Sequence, residues 1–146
     1  MSTASFSFKS NASDRELVFL DPRPDYFVVE LRGFGVRAIR EVYAYTDALG
    51  LSKLFSRLAE YTRPWSGAEK WESLEGEFAL GVTCSAVGEV TFAVSIRDLL
   101  GSPEEWMVKA SLVTEMGQLP SIAVSARSFF ISVSPPNKSL ERTREG

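Results

Sequence analysis

No histidine occurs anywhere in the 146 residues, and cysteine occurs once, at Cys84. The first absence removes the commonest general base and the commonest metal ligand, so neither a Ser-His nor a Cys-His dyad can be built. The second excludes an internal disulfide and agrees with a reducing compartment. Long apolar runs are missing too: Phe27-Val28-Val29 is typical, far short of the roughly 20 residues that a bilayer-spanning helix needs. Residues 1–16 carry one lysine and no apolar stretch of the kind a secretory signal requires, so a cytoplasmic protein is expected.

Positive charge is also in short supply. Sixteen lysines and arginines face nineteen aspartates and glutamates, a net charge of −3 that repels phosphate backbones. Arg32, Arg37 and Arg40 form the one basic cluster, and Glu30 and Glu41 flank it, so it reads as a solvated face of mixed charge. Neither a nucleic-acid nor a membrane partner is expected.

What the chain does have is core material: 45% hydrophobic residues with ten phenylalanines, in a length that buries roughly two thirds of the unfolded surface. One domain is expected over residues 1–134, and the Ser134-Pro135-Pro136-Asn137 stretch opens a polar tail over 135–146. Strands are expected at Ser5–Ser10, Leu17–Leu20 and Tyr26–Arg32, separated by turn-forming Asn-Ala-Ser-Asp and Asp-Pro-Arg-Pro-Asp segments. Val36–Tyr45 favours a fourth strand through its Val, Ile and Tyr content, although Val36, Ile39 and Tyr43 also fit a helical spacing.

Leu51, Leu54, Phe55 and Leu58 recur at three- and four-residue intervals and predict a helix over Thr46–Tyr61, capped by Thr46 or Asp47 and stopped by Pro64. Phe78, Leu80, Val82 and Cys84 alternate with small residues, as do Val90, Phe92, Val94 and Ile96, and Trp106, Val108, Ala110 and Leu112. Period two over three runs predicts an antiparallel meander. Gly117–Phe130 predicts a second helix with Pro120 in its first turn. The expected class is α+β, an antiparallel, mostly meander sheet with two helices packed on one face. Its other face would carry Ala79, Gly81, Thr83, Thr91, Ala93, Ser95 and Ser111, either solvated or covered by the N-terminal strands; the sharper reading is a docking platform.

Among motifs, Gly33-Phe34-Gly35-Val36-Arg37-Ala38 has the glycine spacing of a dinucleotide turn but lacks the following helix and parallel strand, so it reads as a glycine-relieved hairpin. Cys84 lies on the apolar face of its strand and reads as a small core hydrophobe. The densest chemistry lies in residues 63–77, expected to be an irregular connection carrying two tryptophans and four glutamates. Aromatic anchors ringed by like charge suit a protein interface, with the charges steering a basic partner and the rings supplying contact energy. Trp65, Glu69, Trp71, Glu72, Glu75 and Glu77 are therefore the expected partner-contacting residues, Trp65 as the exposed ring and Trp71 as the one nearer the core. The same glutamates leave open a carboxylate- or metal-dependent hydrolase.

The segments W-S-G-A-E-K-W-E-S-L-E-G at 65–76, G-E-V at 88–90, I-R at 96–97, Trp106 and E-M-G-Q-L at 115–119 resemble a family of small bacterial proteins known only as a domain of unknown function. The resemblance spans about Leu54 to Phe130 and implies no reaction. The profile of such families, small and acidic, suits immunity proteins that neutralise a bacterial toxin. The expectation is thus a non-catalytic binding protein, monomeric or homodimeric, with no cofactor, catalytic residue or metal site, whose partner is a basic toxin domain. A hydrolase and a self-associating subunit are the alternatives.

Overall fold

The computed structural model describes residues 4–44, 48–98, 101 and 103–133. Four strands come first: β1 (Ser5–Lys9), β2 (Glu16–Leu20), β3 (Tyr26–Gly33) and β4 (Val36–Tyr43), paired antiparallel in chain order. Helix α1 (Ala48–Glu60) follows, then β5 (Glu69–Glu72), β6 (Phe78–Cys84), β7 (Glu89–Asp98) and β8 (Trp106–Glu115) in a second antiparallel meander. A single 3-10 turn at Met116–Gln118 leads into α2 (Leu119–Val133). The α+β class, the meander order and both helices agree with the sequence pattern. The expected N-caps Thr46 and Asp47, and the expected tail, lie outside the described residues.

Two expectations need correction. The strands form two four-stranded sheets rather than one, because α1 and its following loop separate the two meanders. The tryptophan segment is also not wholly irregular: Glu69–Glu72 pairs with β6 through Glu69↔Val82 and Trp71↔Leu80. A four-residue strand with a single inward side chain gives too short an alternation to stand out in the sequence.

Both sheets turn their apolar sides to the same core. Alternation in β6 and β7 buries Phe78, Leu80, Val82, Phe92, Val94 and Ile96, while α1 contributes Leu51, Leu54, Phe55 and Leu58 from one stripe. Lys53 and Arg57 sit between those leucines and stay exposed, which is why the segment forms an amphipathic helix. Aromatic rings join the layers. Phe55 of α1 lies edge-on to Phe6 and Phe19 of the first sheet, at 5.5 and 6.3 Å, and is stacked near Phe92 of the second, at 6.3 Å. Phe129 and Phe130 of α2 reach Phe19 at 6.2 and 6.0 Å. Each fully buried phenylalanine contributes about 2–3 kcal/mol by leaving water, so the interlocked rings are the principal source of cohesion.

The sheets also touch at their margins. Asn11 N–H donates to the Val113 carbonyl at 2.7 Å and Val113 N–H to Ser10 Oγ at 3.1 Å, while Arg40 Nε donates to the Arg97 carbonyl at 3.2 Å. Since Phe8 meets Phe92 on the inner side, the N-terminal strands do not cover the outer face of the second sheet, where Ala93, Lys109 and Ser111 are exposed. No helix among the described residues is long and apolar enough to cross a membrane.

Candidate functional site

The chain leaves α1 at Glu60 and must reach β5 across Pro64. Trp65, expected as the exposed ring, is buried at 9% exposure and stacks on Tyr61 with ring centroids 4.4 Å apart and planes 21° from parallel. Pro64, Ser66 and Gly67 are exposed around it, so its flanking residues advertise a loop while the ring itself turns under to close the end of α1. Its indole N–H is buried without a hydrogen-bond partner among the described residues. Trp71 is buried to the same degree, against Phe78 at 6.1 Å. Both tryptophans are therefore core lids, and neither ring is available to a partner in this conformation.

The four glutamates part company as well. Glu69 accepts the Tyr61 hydroxyl at 2.6 Å and Arg57 Nε at 3.3 Å, fastening β5 to the last turn of α1. The Tyr61 hydrogen bond, opposed by partial burial and seconded by Arg57, holds the Glu69 carboxyl below the usual glutamate range. The same bond raises Tyr61 above the usual phenol range. Glu72 points to the other side of β5, exposed, with Arg97 Nη2 3.3 Å away. Glu75 stands in the turn, exposed to solvent.

Glu77 is 3% exposed and accepts the Ser73 hydroxyl at 2.6 Å and the Tyr43 backbone N–H at 3.0 Å. A buried carboxylate is tolerated only when its oxygens are satisfied, and these two donors, one from the turn and one from β4, do so. The four carboxylates do not converge on one cleft, and among the described residues no group of three acidic, cysteine or histidine side chains gathers as a metal ion would need. Cys84, expected to be a core hydrophobe, is half-buried at the end of β6.

What these bonds build is a clamped turn between β5 and β6. Ser73 N–H donates to the Phe78 carbonyl at 2.9 Å, Gly76 N–H to the Ser73 carbonyl at 3.0 Å, and Phe78 N–H to Ser73 Oγ at 3.2 Å. From outside, Arg97 Nε donates to the Gly76 carbonyl at 2.6 Å, and Arg97 N–H donates to the Glu77 carbonyl at 2.9 Å. Gly76 takes φ +79°, and a Cβ there would come within 2.6 Å of Arg97 Nη2, so glycine serves both the backbone angle and the arginine's approach. At the tip, Leu74 is 67% exposed, with Glu72 and Glu75 on either side of it in sequence. Sequence reasoning passed over Leu74, Ser73 and Arg97. A leucine inside S-L-E-G looks like ordinary strand or loop filler, and only the fold shows that this one is held outward.

The chain belongs to the Family of unknown function (DUF6228), whose model matches residues 8–133. No curated protein matches it.

Proposed function

We propose that this member of the family is a non-catalytic binding protein, of the kind that neutralises a toxin, and that the β5–β6 turn is where it grips its partner. The observation that carries this reading is the contrast between rigidity and exposure at residues 72–77. A buried Glu77, a glycine in the left-handed region and an arginine fix the backbone, while Leu74 is left in water. Ordering a floppy loop on binding costs about 0.5–1.5 kcal/mol per immobilised side chain, and a turn already fixed avoids most of that cost.

Leu74 is the apolar anchor, and Glu75, with Glu72 partly offset by Arg97, supplies the steering charge, suited to a basic partner surface with a small apolar pocket. Of the six residues that the sequence nominates, Glu72 and Glu75 face outward on this turn. Glu77 is buried beneath it, Trp71 packs on Phe78, and Trp65 and Glu69 face the end of α1. A hydrolase would need two carboxylates to reach one substrate atom, whereas Glu69 is turned to Tyr61 and Arg57 and Glu77 is buried under the turn, which favours the binding reading.

The test is a pull-down of the tagged protein from its native cells together with products of adjacent reading frames, comparing wild type with Glu72→Lys/Glu75→Lys at two salt concentrations. One stoichiometric basic partner, weakened about tenfold in the double variant at low salt and less so at high salt, is the expected result. A partner held equally well by both proteins, or none, contradicts the reading.

A further inference from the structure

Among the described residues, no strand or helix packs on the outer face of the second sheet, and its register gives it a plan. One cross-strand row runs Lys70, Gly81, Ala93, Ser111. The next row on the same face runs Glu72, Ala79, Ser95, Lys109. Between the edge strands nothing larger than serine rises from either row, and the result is a shallow depression of about 540 Å³.

Charge around the depression is lopsided. Glu72 is engaged by Arg97, whereas Lys70 and Lys109 are exposed and have no ion-pair partner among the described residues. Glu89 and Glu115 are exposed on the same face but lie two cross-strand rows beyond the Ala93–Ser111 row, so the depression itself has two uncompensated cations at diagonal corners. Three interstrand steps and a two-residue offset put the lysine backbones about 16 Å apart. Both side chains are long enough to lean inward over the floor. Carboxylates four residues apart in an extended chain, about 13 Å, fall between them.

We propose that this face seats an extended acidic segment of a protein partner, laid across the strands, with Lys70 and Lys109 each pairing with a carboxylate and the small floor admitting the backbone closely. This goes beyond the Leu74 turn, whose charge is of the opposite sign; Glu72 borders both surfaces, so the test variants change Lys70, Lys109 and Ala93 and leave the turn's own residues in place. A small molecule would be covered on one side only in so open a depression, unlike the enclosed pockets such ligands occupy. A second copy of this chain fits poorly: a face-to-face pair related by a two-fold axis would bring four lysines together with two glutamates already held by arginine.

The experiment is an NMR titration of the isotopically labelled full chain, at low salt, with the peptide acetyl-Ser-Glu-Ala-Gly-Ser-Glu-Ser-amide and with a control carrying lysine in place of glutamate. The acidic peptide is expected to shift the amides of Gly81, Ala93 and Ser95, and the control to shift none of them. Lys70→Glu/Lys109→Glu is expected to weaken the acidic peptide about tenfold. Ala93→Trp, an exposed substitution that fills the floor without touching a charge, is expected to block it with amide dispersion intact. Equal shifts from both peptides, shifts confined to another surface, or no shift up to about 5 mM peptide overturn the proposal. So do shifts of Gly81 and Ala93 that depend on protein concentration alone, which would mean that a second copy occupies the face.

Discussion

Two hairpin turns of this molecule leave one large apolar side chain equally exposed, Phe34 between β3 and β4 and Leu74 between β5 and β6, both at 67%. Each is held by an acid, an arginine and a glycine. Around Phe34, Asp14 Oδ1 accepts the Phe34 N–H at 2.9 Å and Arg15 reaches the Phe34 carbonyl at 3.5 Å. Gly33 lies so close to Asp14 that a Cβ would come within 2.5 Å of its carbonyl. Phe34 and Gly35 take φ of 52° and 82°, the two positive angles of a tight two-residue hairpin.

The difference lies in where the acid sits and what covers the tip. Asp14 is exposed and Glu77 buried; the Arg15 guanidinium lies 5.3 Å from the Phe34 ring centroid, whereas Arg97 spends its nitrogens on Gly76 and Glu72. The first turn satisfies its aromatic from within by a cation–π contact. The second leaves its leucine exposed, flanked in sequence by Glu72 and Glu75. Equal exposure therefore does not mean equal availability, and the more deeply anchored turn is the one that presents an unpartnered apolar group.

The largest effect expected from this contrast is on stability. Glu77→Ala leaves the buried Ser73 hydroxyl and Tyr43 N–H without their acceptor and is expected to cost about 3 kcal/mol in urea unfolding, against less than about 1 kcal/mol for Asp14→Ala in its exposed clamp. Equal losses would erase the distinction between the two clamps. Next come the glycines. Gly33→Ala meets backbone atoms and is expected to cost about 2–3 kcal/mol, while Gly76→Ala meets a flexible arginine end and is expected to cost about 1–2 kcal/mol. Thermal unfolding of the two variants ranks them, and the reverse order would show that the Arg97 contact is as rigid as backbone.

A smaller effect is expected from the strand behind the Leu74 turn. Because the folded-state Glu69 carboxyl is depressed chiefly by the Tyr61 hydrogen bond, its contribution is present above the ordinary glutamate range and is lost as pH falls through the depressed folded value. Tyr61, raised by the same bond, contributes below the ordinary phenol range and loses its share as pH rises toward the raised value. The stability gap between wild type and Tyr61→Phe is thus expected to be widest at neutral pH and to narrow on both sides. A gap constant between acid and neutral pH would mean that the bond does not distinguish charged from neutral Glu69. Least of all, Leu74→Ser and Phe34→Ser are each expected to change stability by no more than about 0.5 kcal/mol in chemical denaturation. A larger loss at Leu74 would make it a packing residue rather than an anchor.

Much of the fold was legible in the sequence because periodicity reports burial directly. Leu51, Leu54, Phe55 and Leu58 could face a core together only from a helix, and the alternation of β6, β7 and β8 admitted only strands. Val36–Tyr45 was ambiguous by spacing; Val36–Tyr43 is a strand paired with β3, and Tyr45 lies outside the described residues. What local pattern does not encode is which strand lies beside which once a helix intervenes, and so the split into two sheets was not visible. Trp65 failed for a related reason: Pro64, Ser66 and Gly67 describe the backbone of a loop, whereas the ring's burial depends on Tyr61, presented by the end of another element. Of the site, the acidic segment was found but its organisation was not. The role of Glu77 rests on a hydroxyl four residues back and an amide from β4, neither of which any spacing within residues 63–77 reveals.

The most direct test of the account is a binding titration of Leu74→Asp and Phe34→Asp, side by side, against the partner recovered with the wild-type protein. Leu74→Asp is expected to lose about tenfold or more in affinity and Phe34→Asp less than about twofold. Equal losses, or a loss confined to Phe34→Asp, would contradict it.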